Sequence, residues 1–162
     1  MESRRKKASL PSIRTDATLG RLCKWLRMMG IDAEWDTATP DPERLKLLTD
    51  IDQRWVLTRS RRVFEKLGPN RSLLLRPNSP LDQMRQVIRH FKIERNDLQP
   101  LSRCSRCNHP MSETAKPNII GRIPDYVWQR HDRFMSCSRC RRIYWPGSHV
   151  QRIQLMMDQW FR

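Results

Sequence analysis

Cys104-Ser105-Arg106-Cys107 and Cys137-Ser138-Arg139-Cys140 are two CxxC pairs separated by 29 residues. Two residues between thiolates let both sulfurs reach one ion across a tight turn, whose N–H groups can then donate to the sulfurs. Four cysteines so arranged predict a closed tetrahedral Zn²⁺ site with a structural role, ahead of iron or a redox dithiol. The fifth cysteine, Cys23, falls on an apolar helical face and reads as core. An odd count with four paired members argues against a disulfide framework.

The 162 residues carry 32 Lys+Arg against 17 Asp+Glu, a net charge of +15. That excess points to a polyanionic partner, nucleic acid before a membrane surface, because the basic residues are spread along the chain. No apolar run approaches the roughly 20 residues of a membrane span. The charged start lacks the apolar run of a signal peptide, so a cytoplasmic protein is the expectation.

Between residues 11 and about 91, short apolar runs alternate with helical patterns. Strands are expected at 12–16, 31–35, 55–58 and 72–75. Leu19, Leu22, Cys23, Leu26 and Met29 give the first helix one apolar face, ended by Gly30 as a left-handed cap. Asp41 caps the next helix with Pro42 at its first position. Ser79 can cap a later one. The alternation predicts an α/β fold, a mostly parallel sheet flanked by helices. We divide the chain into a basic flexible arm (1–10), the sheet domain (11–97) and a cysteine-bearing unit with a C-terminal helix (98–162), in which Val150, Ile153, Met157 and Trp160 keep helical spacing.

Asp16 should end the first strand, Asp41 begin the second helix, and Thr58-Arg59-Ser60-Arg61 end the third strand. Active sites of parallel sheets lie at such carboxyl ends. Carboxylates gathered there would hold Mg²⁺ or Mn²⁺, although each aspartate can equally be a helix cap.

The stretch from Asp16 to Gly30, DATLGRLCKWLRMMG, resembles the D-x-x-L-G-R-L-x-x-W-L-R-x-x-G opening of the PIN-like RNase domain found at the C-terminus of Mut-seven-type exoribonucleases. Val56-Leu57-Thr58-Arg59 is similar to its L-T-R-D. Arg103-Cys104 to Asn108 resembles its R-C-x-x-C-N, and Cys137 to His149 its C-x-x-C…I-Y-W-x-G-S-H ending. The resemblance spans roughly residues 12–155. It implies a PIN-like sheet followed by a zinc ribbon, and metal-dependent cleavage of RNA. Asp16 then matches the first acidic ligand and Asp41 the second. The third acid should follow Arg59, where this chain has Ser60; a hydroxyl carries no charge, and hard cations depend on anionic oxygens. Asp36 and Glu43 are the nearby substitutes.

Two functions compete on this reading. One is a metal-dependent ribonuclease with a degenerate acidic site at Asp16, Asp41 and Ser60. The other is an inactive module that binds RNA or a ribonucleoprotein. In both, Arg21, Lys24 and Arg27 on one helix face, with Arg59, Arg61 and Arg62 beside the acids, would track single-stranded RNA. Arg85, Arg89 and Lys92, and the arginines of the knuckles, would extend that track. Tyr144 and Trp145 can stack on bases or pack the ribbon, and packing is favoured. Trp25, Trp35 and Trp55 are expected in core or interdomain packing.

Overall fold

The computed structural model describes residues 10–161, and within 148–152 only the backbone. The 1–9 part of the basic arm and the side chains of His149 and Val150 therefore lie outside the described residues.

Four short strands, β1 (Ile13–Thr15), β2 (Ala33–Trp35), β3 (Trp55–Thr58) and β4 (Ser72–Leu74), form a parallel sheet in the order β2-β1-β3-β4. Each is followed by a helix: α1 (Gly20–Met28), α2 (Pro42–Asp52), α3 (Arg61–Leu67) and α4 (Pro80–Phe91). The expected alternation is borne out, with β1 and β2 shorter than their apolar runs. Val56 and Leu57 show why both sheet faces are covered. Successive side chains point to opposite faces. Leu57 joins Ile13, Leu22, Leu26, Met84 and Val87 on the α1/α4 side, while Val56 meets Leu45 of α2 and Val63 of α3 on the other.

Local chemistry sets the helix starts. Asp41 Oδ1 accepts from the Glu43 and Arg44 N–H groups, and Pro42 follows it. Ser60 Oγ accepts from Val63 N–H. Ser79 stands at the α4 cap position, but its side chain makes no capping bond.

A last helix, α6 (Ser148–Trp160), returns to the sheet unit. Ile153, Met157 and Trp160 are buried in the same cluster as Ile13 and Leu26, and Trp160 packs against Trp25 with ring centroids 5.8 Å apart. Between the sheet and α6 lies a cysteine module. Its antiparallel sheet joins β5 (Ser112–Thr114), β6 (Phe134–Ser136) and β7 (Ile143–Tyr144) in that order, and α5 (Asp125–Arg130) packs beside it. Ile119, Ile123, Val127 and Phe134 form its small buried cluster. None of these elements shows a periodic signal, because each is too short to repeat a pattern. Among the described residues no helix is long and apolar enough to cross a membrane.

The segment after α4 is pinned rather than free. The Gln99 N–H donates to Met29 O (2.9 Å) and the Leu101 N–H to Met28 O (3.1 Å). Gly30, at φ +84°, permits this crossing: a Cβ there would stand 2.5 Å from Ser102 Oγ and 2.6 Å from Gln99 O. A Gly30→Ala variant is expected to lose about 2–3 kcal/mol, from the positive φ and a clash with backbone that cannot swing away. A lowered urea midpoint at unchanged slope would report it.

Two expectations are corrected. Arg27 is not on the solvent face of α1 but 7% exposed. Steps of three residues fall short of a helical turn by 60°, so Arg21, Lys24 and Arg27 drift around the helix until Arg27 stands one turn above buried Cys23. Its guanidinium donates to Ala33 O (2.7 Å) and Arg106 O (2.8 Å), tying α1 to β2 and to the first knuckle. It is thus unavailable to a phosphate. Trp35 is not core: it sits on edge strand β2, 45% exposed, with its indole across Gly20. Trp25 and Trp55 are partly buried as expected, Trp55 edge-on to His90 and Phe91.

Candidate functional site

The sheet order makes β1 and β3 neighbours whose following helices leave toward opposite faces, α1 to one and α3 to the other. A crevice forms at the carboxyl ends of two such strands. Asp16 stands there, 1% exposed, and Ser60 stands just past the end of β3.

Four donors surround the Asp16 carboxylate. Oδ1 accepts from the Thr18 N–H (2.9 Å) and the Thr18 hydroxyl (2.6 Å). Oδ2 accepts from the Thr58 hydroxyl (2.7 Å) and the Arg59 N–H (3.0 Å). A carboxylate has about four acceptor positions, so this one is saturated by the protein. The Ser60 N–H in turn donates to Thr58 Oγ1 (3.0 Å), which aligns that hydroxyl on Asp16. Asp16 thus clamps the end of β1 to the end of β3.

The other acids do not converge with it. Asp41 is exposed and caps α2. Asp36 follows β2, its N–H on Thr15 O, and its carboxylate accepts from Arg44 Nη2 (2.6 Å) and the Ala38 N–H (3.1 Å). Glu43 is exposed and ion-pairs with Lys66. Among the described residues, no three carboxylates approach closely enough to hold one cation. The fold therefore sets Asp16, Asp36 and Ser60 just past the carboxyl ends of β1, β2 and β3, with Asp41 a helix cap. In this arrangement Asp16 keeps no free acceptor position, whereas Mg²⁺ or Mn²⁺ draws on free anionic oxygens.

Of the basic residues, Arg21, Lys24, Arg59, Arg61 and Arg62 are exposed. Arg59 also pairs with Asn78. Arg85 is partly occupied by Gln159 O and Asp82.

The four knuckle cysteines do converge. Their Sγ atoms all lie within 4.8 Å of one another, with Cys104–Cys140 and Cys107–Cys137 at 3.5 Å. Tetrahedral zinc with Zn–S bonds near 2.3 Å needs sulfurs about 3.8 Å apart. The donor set and spacing thus fit, and the cluster could bind a structural metal such as zinc. Burial opposes the charged form of Cys104, but the Tyr144 hydroxyl (3.1 Å) and the Cys107 and Arg106 N–H groups outweigh it and bring its pKa down to about 6. Cys107 is pushed up to about 12, by burial and by the neighbouring sulfurs. Cys104 therefore ionises readily while Cys107 and Cys140 resist it, and a bound divalent ion would favour the thiolate form of its ligands.

Asn108 fastens this cluster to the sheet, and spacing alone did not single it out. It is 4% exposed at φ 65°. Its amide donates to Asp32 Oδ1 (2.6 Å) and Glu34 Oε1 (3.2 Å) and accepts from the Ala33 N–H (3.1 Å). Asp32 also takes two bonds from Arg54, at 2.8 and 3.1 Å. Burial works against the Asp32 carboxylate, but Arg54 and Asn108 together hold its pKa below the usual range. The available signals were the position after CxxC and the tolerance of Asn for positive φ.

Comparison with curated proteins and with solved structures gives no match. A family model, the Mut7-C RNase domain, matches residues 11–157. That match takes in the parallel sheet, the cysteine module and most of α6, and the chain belongs to the Mut7-C RNase domain family.

Proposed function

We propose that this protein binds single-stranded RNA through a PIN-like sheet and a zinc ribbon, and that its acidic edge serves the fold rather than a catalytic cation. Membership in an RNase family implies an RNA substrate. The observation that carries the reading is the saturated Asp16 carboxylate, whose four acceptor positions are filled from Thr18, Thr58 and Arg59. Ser60, where the family resemblance calls for an acid, supports it by using its hydroxyl as the α3 cap.

The +15 charge supplies the affinity. Each phosphate neutralised on a single strand releases counterions and contributes about −0.7 to the slope of log affinity against log salt. Exposed Arg21, Lys24, Arg61 and Arg62 are the candidate contacts. The position of Asp16 at the β1/β3 crevice favours the second reading, a metal-dependent ribonuclease.

Labelled single-stranded RNA, titrated with protein between about 50 and 200 mM salt, separates the two. We expect steep salt-dependent binding and intact RNA in Mg²⁺ or Mn²⁺. Metal-dependent cleavage that Asp16→Asn abolishes without lowering the melting temperature would replace this reading with the nuclease.

A further inference from the structure

A cleft of about 220 Å³ opens between α1 and the cysteine module, and Asp16 is not among the residues that line it. Tyr144, Trp145 and Met28 line it with apolar surface, and Lys24, Arg103 and Arg142 bring three cations to the same walls. Among the described residues no acidic side chain lines it.

The aromatic walls are already fixed. Tyr144 is held through its hydroxyl, 3.1 Å from Cys104 Sγ and 3.4 Å from Ser105 Oγ. Trp145 packs on the Phe134 cluster and against Gly147, where an added Cβ would stand 3.0 Å from its Nε1. Both remain partly exposed. A ring held on one side and open on the other can stack at little entropic cost. Arg103 is likewise held, by Asn108 O at 2.9 Å, whereas Lys24 and Arg142 are exposed at the mouth.

We infer that this cleft receives one unpaired nucleobase of an RNA strand, stacked against Tyr144 and Trp145, with Lys24 and Arg142 on the flanking phosphates. The inference deepens the RNA-binding reading and rests on it. The volume lies below the roughly 300–1,000 Å³ of pockets that enclose drug-sized ligands, and so favours a single base over a larger ligand. Flat aromatic surface beside cations, with no acid among them, matches a base between two phosphates. An acidic peptide would match the cations but leave the rings unused.

The test uses the full zinc-loaded chain and a short oligouridylate containing one 4-thiouridine. Irradiation should cross-link the probe to Tyr144 or Trp145, located by peptide mass spectrometry. An abasic ribose-phosphate strand of equal length should bind about tenfold more weakly, the scale of one lost stacking contact. Lys24→Glu with Arg142→Glu should remove the cross-link at unchanged melting temperature. Binding with cross-links only elsewhere, such as Arg61 or Arg62, would overturn the cleft and leave the RNA reading standing. Equal affinity for the abasic strand, or displacement by polyglutamate of matched charge, would also overturn it. Absence of RNA binding at low salt would overturn both.

Discussion

Stripping a metal bound at the four-cysteine cluster, which could hold one, is expected to disorder residues 102–147 and to lower stability more than any single substitution outside it. The module has four fully committed apolar side chains, Ile119, Ile123, Val127 and Phe134, with Trp128, Ile143 and Trp145 against them. A core of that size does not order some 45 residues without a staple. Structural zinc in small modules contributes on the order of 10–16 kcal/mol near neutral pH. Without it nothing holds the four sulfurs together beyond the Cys104–Cys140 and Cys107–Cys137 contacts at 3.5 Å.

The loss should be local at first. Ile13, Leu26, Leu57, Met84 and Val87 form the sheet core without help from the module, although Arg27 and Asn108 would lose partners across the junction. The expected record is one zinc per chain by elemental analysis, then loss of near-ultraviolet dichroism on chelation with most far-ultraviolet signal retained. Cys137→Ser should behave as the chelated protein does. A chain that melts identically with and without chelator would remove the metal from the account.

Asp16→Asn is expected to cost about 3–5 kcal/mol, the scale of removing one partner from a buried charged network. The reason is geometric. One carboxylate oxygen faces the Thr18 N–H and the other faces the Arg59 N–H. Neither backbone donor can rotate away. An asparagine offers one oxygen and one NH₂, so either orientation sets an NH₂ against a fixed N–H. For a chain of this size the melting temperature should fall by roughly 10 °C or more. A residue kept only to hold a cation would behave oppositely, since its neutral replacement relieves repulsion without breaking a clamp. Thermal melts of the two proteins in the same buffer therefore test the structural role of Asp16 without any assay of cleavage.

Local features were legible because their physics is local. Asp41-Pro42 announced a helix start, and Gly30 a left-handed turn. The Leu19–Met29 spacing announced a buried stripe, and the two CxxC pairs a four-sulfur cluster, all as found. Arg27 was misread because a tally of basic residues at three-residue steps ignores the 60° drift that carries one of them into the interface. Trp35 was misread because a large aromatic on an edge strand has no second neighbour to bury it. The strands of the cysteine module went unread because two or three residues establish no period.

The sequence by itself thus determined the α/β alternation, the four-sulfur cluster, the basic charge and the family. Each rests on residue type, spacing or a sum over the chain, and none requires knowing what lies opposite. Tertiary structure alone decided that Asp16 spends all its acceptor positions on Thr18, Thr58 and Arg59, and that Asn108 and Arg27 join the cysteine module to the sheet. It also decided that Lys24 and Trp145 face one cleft. An aspartate that caps and clamps and an aspartate that binds a cation are the same letter. What separates them is which donors arrive from 42 positions away, and only folding brings Thr58 to Asp16.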